Sequence, residues 1–330
     1  SVSHNARVDI PSVSRVFCVS HRDDPDGLVS AALVRSATRC HFALTGYEDI
    51  EEVLANTPRS LDWLVVADLG LDERHEVIGR LPDTARHILY VDHHLLSVEG
   101  KRSLRKAKVI VRHSLKDCAS VLVWDLLRNQ LPQEAVNLAA YGAVTDPPVS
   151  GRLTREVLLK TNRDLVAYEG HLLALALSTD KCTTSLLEEI VSKLATLQLP
   201  HRMSAVRRLA DEQAARMVEM RKQLSDRAQV RKRVAIAKAR RLALGTSAEL
   251  LLSVPNVVAS VAYDTAGSPS RTRISVRGTD ECGRHLGKLM IKITRGVGGT
   301  GGGHMLAAGG IVPSSRLQEF LGLFVREVGR

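Results

Sequence analysis

Histidine and aspartate residues at short spacings recur at four places in the first half of the chain. The four places are His21-x-x-Asp24-x-Asp26-Gly27, Asp68, the triplet Asp92-His93-His94, and Asp146. Imidazole nitrogens and carboxylate oxygens are ligands that manganese and other borderline divalent ions accept. Each place follows or ends an apolar stretch, so the side chains can converge if those stretches are strands of one sheet. Together they offer enough ligand atoms for two metal ions and indicate a metal-dependent phosphate-ester enzyme.

Taken singly, each cluster has an ordinary structural explanation. Asp-Pro-Asp-Gly makes turns in many proteins, and an aspartate after a strand often caps the next helix, which would account for Asp68 or Asp146. Consecutive histidines after a buried strand are harder to place in a core, and the carboxylate of Asp92 can fix the tautomer of a ligating imidazole. Four such clusters in one domain, all at expected strand ends, favour a single site.

Short apolar runs alternate with helical patterns between residues 15 and 150. Strands are predicted at 15–20, 62–67 and 86–91, and helices at 28–35 and 73–81. This alternation predicts a parallel, doubly wound α/β sheet. Such sheets bind ligands at the carboxyl ends of their strands, near the point where the strand order reverses.

The later part of the chain divides into three further stretches. Residues 119–199 have helical spacing and are predicted to cap the sheet, and residues 205–232 are predicted to form one long charged helix. Beyond it, short strands and two helices predict a smaller mixed α/β domain. The expected organisation is a catalytic domain with a helical cap at 1–199, a linker helix at 200–232 and a substrate-binding domain at 233–330.

The composition suits a globular protein with an anionic partner. With 330 residues and 44% hydrophobic content the chain can bury a full core, and no apolar run approaches the roughly 18 residues that span a bilayer. The five scattered cysteines, which form no Cys-x-x-Cys pair, are expected to be reduced thiols, so we expect a cytoplasmic protein without a membrane partner. A net charge of +10 favours an anionic partner, while 3% aromatic residues leave few side chains for stacking long runs of bases.

Glycine is densest between residues 296 and 310. Gly301, Gly302 and Gly303 are predicted to form a loop whose backbone amides approach a phosphate or a terminal nucleotide, with His304 as a further donor. Arg277, at the end of a predicted strand, would supply a guanidinium fork for phosphate. The alternative interpretation is a solvated glycine loop and a surface arginine.

The ordered set His-x-x-Asp-x-Asp-Gly, Asp68, Asp92-His93-His94 and Asp146 resembles the DHH phosphoesterase superfamily, which is named for that triplet. The segment Gly301-Gly-Gly-His304-x-x-Ala307-Ala308-Gly309 resembles the signature of the DHH-associated carboxy-terminal domain of its oligoribonuclease and RecJ-like branch. The pyrophosphatase branch has a different carboxy-terminal domain. Pyrophosphate is therefore not the expected substrate.

The resemblance implies a role for each residue of the four clusters. One metal ion would be held by His21, Asp24 and Asp68, and the other by Asp26, Asp68, His93 and Asp146. Asp68 would bridge the ions, His94 would face the substrate phosphate, and Asp92 would support the site from behind. Manganese is the expected metal, with magnesium or cobalt as alternatives. Asp23 competes with Asp24, because the choice of Asp24 depends on the Asp-x-Asp-Gly register alone.

The implied function is hydrolysis of short single-stranded RNA or DNA from one end to mononucleotides. Relatives by resemblance include oligoribonucleases that also dephosphorylate adenosine bisphosphate, enzymes that open cyclic dinucleotides, and RecJ-like exonucleases. Exonuclease action on longer single strands is one alternative, and a non-catalytic nucleic-acid-binding or replication-scaffold relative is another. The expected partners are short oligonucleotides or small nucleotides, and the resemblance allows a homodimer.

Overall fold

The computed structural model of the chain describes residues 7–72, 74–146, 150–179, 181–239, 243–265 and 269–329. The chain divides into two compact units, residues 1–213 and 214–330. The division falls within one helix, Ser204–Ser225, which lies in the segment predicted to link the two domains.

The first unit contains alternating strands and helices, as predicted. Its strands are β1 (Val16–His21), β2 (His41–Thr45), β3 (Leu61–Ala67), β4 (Ala85–Asp92) and β5 (Ile110–His113). Its helices are α1 (Pro25–Thr38), α2 (Ile50–Ala55), α3 (His75–Arg80), α4 (Val98–Lys106), α5 (Ala119–Leu127), α6 (Val136–Thr145), α7 (Arg152–Leu159), α8 (Arg163–Leu177), α9 (Thr184–Ala195) and the first part of α10 (Ser204–Ser225).

The five strands form a parallel sheet in the order β2-β1-β3-β4-β5. The chain moves from β1 to one side and then crosses back to β3 on the other, so the order reverses next to β1. Helices α1, α5, α6, α8 and α9 cover one face of the sheet, and α2, α3 and α4 cover the other. The prediction of a doubly wound α/β fold is confirmed, and the ends of β1 and β3 flank the position where such folds bind ligands.

Strand β3 shows how the sequence produces this architecture. Val65 and Ala67 pack in the core under α1, while Leu64 and Val66 pack in the core under α2 and α3. All four side chains are fully buried. A parallel sheet covered on both faces has no solvent side, so its strands are continuously apolar instead of alternating. The first polar residue after such a strand therefore lies at the carboxyl edge of the sheet, and here it is Asp68.

The second unit is a mixed α/β domain, as predicted. Its strands are β6 (Gln229–Arg231), β7 (Val234–Lys238), β8 (Ala259–Asp264), β9 (Arg271–Gly278), β10 (Thr300–Gly303) and β11 (Ala307–Pro313), and its helices are α11 (Leu244–Leu251), α12 (Leu286–Gly296) and α13 (Leu317–Val328). The sheet order is β10-β11-β9-β8-β7-β6, with β7 and β8 parallel and the other pairs antiparallel. Helices α12 and α13 pack on one face and α11 packs on the other.

The long helix predicted over residues 205–232 ends earlier than expected. Helix α10 stops at Ser225, and the chain then forms the β6–β7 hairpin, where Lys232 takes a left-handed φ of 56°. All three residues of β6 are exposed. Charged side chains suit a solvated helix and an exposed edge strand equally well, so composition alone could not place this boundary.

Two expectations about composition can be compared with the structure. All five cysteines are free thiols, of which Cys182 is half-buried and the others are buried. Among the described residues, none of the helices has both the length and the apolar character that crossing a bilayer requires.

Candidate metal centre

The predicted histidines and aspartates lie together at the carboxyl edge of the first sheet. The residues come from the end of β1, the start of α1, the ends of β3 and β4, and one helix end: His21, Asp24, Asp26, Asp68, Asp92, His93, His94 and Asp146. Because β1, β3 and β4 are neighbours in the sheet, their carboxyl ends bring these side chains within reach of one another. The expected strand end at Asp146 is wrong, since this residue follows the last turn of α6.

The first group of potential ligands comprises His21, Asp24 and Asp68. The Nδ1 atom of His21 lies 2.9 Å from Asp24 Oδ2 and 3.7 Å from Asp68 Oδ2. Asp68 takes a left-handed φ of 56°, and its backbone N–H donates to Val91 O at 2.9 Å. This turn directly after β3 keeps the Asp68 carboxylate at the edge of the sheet, where it is almost completely buried.

Asp24 and Asp23 take different positions beside His21. Asp24 caps helix α1, because its Oδ1 accepts the Gly27 N–H at 3.0 Å while its other oxygen faces His21. Asp23 lies 3.3 Å from His21 Nε2, but its side chain is 61% exposed and it belongs to none of the potential ligand groups among the described residues. Asp24 is therefore grouped with His21 and Asp68, whereas Asp23 lies outside that group.

The second group of potential ligands comprises Asp26, His93 and Asp146. The Nε2 atom of His93 lies 3.0 Å from Asp146 Oδ2, 3.2 Å from Asp68 Oδ1 and 3.9 Å from Asp26 Oδ2. Asp68 thus faces His21 with one oxygen and His93 with the other. This is the position expected of a carboxylate that bridges two ions.

Asp26 is completely buried and is held from behind by α5. Its two oxygens accept the backbone N–H groups of Ala119 at 2.8 Å and Ser120 at 2.9 Å, at the first turn of that helix. The partial positive charge of a helix N-terminus stabilises a carboxylate there. The neighbouring position on α6 is Gly142, where a Cβ atom would stand 2.4 Å from Asp26 Oδ1. The glycine therefore leaves the space that the carboxylate occupies.

Burial and mutual repulsion dominate the electrostatics of these carboxylates. Burial, reinforced by Asp24 and Asp26, raises the pKa of Asp68 well above its usual range. Burial, with Asp26 again contributing, raises the pKa of Asp146 to about 8. Burial opposes a charge on His21, but its hydrogen bonds to carboxylates outweigh that effect and raise its pKa. The site therefore concentrates negative charge that only bound protons or cations can neutralise.

Two buried oxygens test whether a metal ion fits this site. Asp68 Oδ2 and Asp146 Oδ2 are inaccessible to solvent, and among the described residues their histidine neighbours, His21 Nδ1 at 3.7 Å and His93 Nε2 at 3.0 Å, do not meet them with hydrogen-bond geometry. A buried carboxylate oxygen without a partner is costly, and native proteins rarely leave one unsatisfied. Divalent cations bound between these oxygens and the histidine nitrogens would satisfy both atoms. The donor set therefore fits a pair of divalent ions.

Asp92 orients His94. Its Oδ1 lies 2.7 Å from His94 Nδ1, and its Oδ2 accepts the Tyr90 hydroxyl at 2.7 Å and the His94 N–H at 3.2 Å. Burial opposes the charge on Asp92, but the hydrogen bond from His94 outweighs it and lowers the pKa. A third potential ligand group joins Asp68, His93 and His94, which the sequence did not predict.

Tyr47 is a member of this site that the sequence did not reveal. Its hydroxyl accepts the Gly70 N–H at 3.1 Å and lies 3.2 Å from His94 Nε2, and its ring centroid lies 5.3 Å from that of His21. Burial raises its pKa to about 12, so the hydroxyl stays protonated. The available signal was position, because Tyr47 follows β2 as the other clusters follow their strands.

The glycine segment of the second unit is an edge strand and not the predicted loop. Gly301, Gly302 and Gly303 belong to β10, which pairs with β11. Gly303 has a φ of 140°, and a Cβ atom on Gly287 of α12 would stand 1.9 Å from Gly303 O. Helix α12 thus packs directly against the strand backbone, which accounts for glycine at both positions.

Arg277 and His304 lie at the same end of the second sheet. Arg277 on β9 pairs with Ala307 on β11, and the His304 N–H donates to Ala307 O at 2.7 Å. The Arg277 guanidinium is half-buried, 3.4 Å from Glu249, and burial lowers its pKa. His304 is exposed in the turn between β10 and β11. The structure thus brings these two predicted substrate residues to the same end of the second sheet.

Residues 232–329 match the DHHA1 domain family. None of the curated proteins matches the chain. One solved structure with the same fold is a DHH-domain protein described as a member of the S1p family of ribosomal proteins, with 15% identity and a TM-score of 0.74, covering 96% of this chain and 87% of that chain.

Two further solved structures are a phosphodiesterase and a RecJ protein, and another RecJ structure with this fold is described as an exonuclease. The pGpG-specific phosphodiesterase PggH from Vibrio cholerae has 13% identity and a TM-score of 0.59, covering 95% of this chain and 99% of that chain. RecJ from Thermus thermophilus, in complex with Mn²⁺, has 17% identity and a TM-score of 0.62, covering 94% of this chain but 51% of that chain. At these identities the likeness shows the fold. The chain therefore shares the fold of these structures, one of which is described as a DHH-domain protein, over almost its whole length, and its residues 232–329 match the DHHA1 domain.

Proposed function

We propose that this protein is a two-metal phosphodiesterase that hydrolyses short single-stranded oligonucleotides from one end to mononucleotides. The observation that carries the proposal is the convergence of two potential ligand groups on the two oxygens of Asp68. The unsatisfied buried oxygens of Asp68 and Asp146 support it further. A role confined to fold stability would not leave such atoms without partners.

Each of the two ions has its own set of ligands in this proposal. His21, Asp24 and Asp68 hold one ion, and Asp26, Asp68, His93 and Asp146 hold the other. When bound, such a pair lowers the pKa of a water and stabilises both the attacking and the leaving oxygen in a displacement at phosphorus. Manganese is our first choice, supported by the Mn²⁺ in the RecJ structure, with magnesium and cobalt as alternatives.

The remaining residues orient the substrate. Asp92 orients His94 through Nδ1, and in this proposal the Nε2 side of the ring, next to the Tyr47 hydroxyl, faces the substrate phosphate. In the second unit, Arg277 and His304 bind the phosphate or nucleotide end, and the backbone of Gly301, Gly302 and Gly303 permits close approach. No nucleophilic side chain is required, since the attacking group is water.

A short substrate is favoured by the likeness to PggH, which is described as specific for the dinucleotide pGpG. The shared fold covers 99% of the PggH chain. Adenosine bisphosphate and the linear products of cyclic dinucleotides are further candidates of similar size. A second function, exonuclease action on longer single-stranded DNA or RNA, is favoured by the net charge of +10 and by the likeness to RecJ. A non-catalytic scaffold is disfavoured, because every expected ligand residue is present in the described site.

The test is a manganese-dependent time course on RNA and DNA oligonucleotides of graded length, labelled at the 5′ or the 3′ end. We expect rapid release of mononucleotides from the shortest substrates. Asp68→Asn should reduce the rate by about a thousandfold or more, because it removes the carboxylate shared by both ions. Asp23→Asn is the matched control, since it removes an exposed carboxylate beside the same histidine. If the wild type hydrolyses none of these substrates and Asp68→Asn binds them equally well, the scaffold function is correct.

A further inference from the structure

Helix α4 and its last turn present an unusually basic surface next to the metal centre. Residues 98–108 contain the five cations Lys101, Arg102, Arg105, Lys106 and Lys108 and the single carboxylate Glu99, so five minus one gives +4 of the chain's net +10. All five cationic side chains are exposed. Within the part of the chain that the structure describes, none of the five forms an ion pair.

Cations elsewhere in the same unit differ in this respect. Lys181 lies 2.5 Å from Glu212, and Lys193 lies 2.5 Å from Glu189 one turn away. In such pairs each charge is balanced by its neighbour, although an exposed pair adds little to stability. Five adjacent cations without partners repel one another instead, which an anionic ligand would relieve.

The position of α4 relates this surface to the metal centre. The helix begins four residues after His94, and the Ser97 N–H at its start donates to Asp72 Oδ1 at 2.7 Å, within the loop that follows Asp68. Because α4 connects β4 to the parallel strand β5, it runs antiparallel to both, away from the carboxyl edge. The cations therefore extend from the rim of the site along the outer face of the unit.

Three exposed apolar side chains lie in the segments that follow β4 and β5, at the same end of the sheet as the metal centre. Leu95 is 54% exposed, Val98 is 67% exposed and Leu115 is 51% exposed. Leu95 directly follows His94, and β5 is held to the same edge because the His113 ring lies 2.6 Å from His94 O. Apolar contacts beside the reacting centre followed by cations match a nucleobase followed by a phosphodiester backbone.

A membrane surface fits this helix less well. Amphipathic helices that bind membranes insert an apolar face into the lipid. The apolar side of α4 is already occupied, because Leu104 is completely buried in the core beneath the helix. Apart from Val98 and Glu99 in its first turn, the exposed residues of α4 are cations.

We propose that α4, with Leu95, Val98 and Leu115, is a binding surface for the part of a single-stranded oligonucleotide that lies beyond the reacting end. The inference depends on the proposed nuclease function for its meaning, and it sharpens the substrate class. A dinucleotide would end before the cations, whereas a strand a few nucleotides longer would reach them. Binding should therefore strengthen with length until the helix is covered.

The expected size of the effect follows from the helix length. The five cations lie between Lys101 and Lys108, about 10 Å at the rise of a helix, and a stacked strand carries a phosphate about every 3.4 Å, so the surface contacts about three phosphates. Each neutralised phosphate contributes about 0.7 to the slope of log affinity against log salt for a single strand. The surface should therefore contribute a slope of about 2, or about a twentyfold loss of affinity between about 50 and about 200 mM salt.

The experiment measures binding of fluorescent RNA in EDTA, which prevents metal-dependent hydrolysis. The variant Lys101→Gln/Arg102→Gln/Arg105→Gln/Lys106→Gln removes four cations and keeps good helix formers. The control Arg152→Gln/Arg163→Gln/Lys181→Gln/Lys193→Gln removes the same charge from α7, α8, α9 and the loop between α8 and α9, in the opposite layer. We expect the α4 variant to bind a long RNA about tenfold more weakly with a salt slope smaller by about 2, and to bind a dinucleotide as the wild type does.

Several outcomes would overturn the inference. An equal loss in both quadruple variants would mean that total charge alone attracts the RNA. An unchanged salt slope in the α4 variant, or wild-type binding to anionic phosphatidylserine vesicles without binding to RNA, would also refute it. This experiment measures binding and not hydrolysis, so its result can be interpreted even if the protein proves to have no nuclease activity. Equally, a failure of the α4 variant to weaken binding would leave a measured nuclease activity standing.

Discussion

Gly142→Ala tests whether the fold itself holds Asp26 at the metal centre. Gly142 lies on α6, and a Cβ atom there would stand 2.1 Å from Ser120 Oγ and 2.4 Å from Asp26 Oδ1. Asp26 cannot rotate away freely, because both of its oxygens accept backbone N–H groups at the start of α5 and the side chain is completely buried. Either α6 must shift or Asp26 must leave its position.

The net effect on stability is the balance of two opposing contributions. Alanine in a helix interior is favoured over glycine by about 1 kcal/mol. Overpacking a buried site costs about 1–3 kcal/mol, and each hydrogen bond to a charged group that is lost costs about 1.5–3 kcal/mol. We therefore expect the free energy of unfolding to fall by about 0–2 kcal/mol if both hydrogen bonds survive, and by about 1.5–5 kcal/mol if one is lost. The matched control is Gly79→Ala on α3, where a Cβ atom would meet nothing within 4 Å, and its unfolding free energy should be unchanged or slightly higher.

The decisive measurement is a manganese titration followed by calorimetry and by electron paramagnetic resonance. The wild type and Gly79→Ala should bind two ions, whereas Gly142→Ala should weaken the ion held by Asp26, His93 and Asp146 by tenfold or more. Binding of two ions with unchanged affinity by Gly142→Ala, at the stability of the control, would falsify the claim that α5 and α6 clamp Asp26.

Three further predictions concern the same sites. Asp24→Asn should weaken manganese binding at least tenfold, and its stability should be nearly unchanged because asparagine caps a helix as well as aspartate. Asp23→Asn should change manganese binding by less than about threefold. Calorimetric titration of both variants with manganese measures the difference. Burial raises the pKa of Asp68 and raises that of Asp146 to about 8, so the folded metal-free protein retains protons that the unfolded chain releases near pH 4. The unfolding free energy of the metal-free protein should accordingly fall between about pH 4 and about pH 8, while its affinity for manganese rises over the same range. Urea unfolding with and without manganese measures both quantities. A metal-free protein that becomes more stable over that range would contradict this reasoning. Arg277→Lys keeps the charge but loses the guanidinium fork, so binding of a nucleoside monophosphate should weaken about tenfold, and equal binding by both forms would remove Arg277 from the site.

The two sheets show how far local pattern determines a fold. Residues 61–67 could be assigned to a strand because a continuous apolar run can be buried on both faces. The end of α10 could not be placed, since exposed charged residues are compatible with both a helix and the edge hairpin that follows it. The sequence predicted that the glycines at 301–303 let a phosphate approach the backbone, but the structure gives a different reason for glycine at these positions. They allow α12 to pack against an edge strand, and this contact between separate elements leaves no local signal.

For the metal centre, the sequence by itself determined which residue types are present and that most of them follow strands. Ligand chemistry is a property of the side chain, and strand ends are visible in the apolar pattern. The tertiary structure alone decided that Asp146 arrives from a helix, that Asp24 and not Asp23 faces the shared carboxylate, and that Tyr47 joins His94. These facts depend on distances between segments that the strand order brings together, and no spacing along the chain encodes that order.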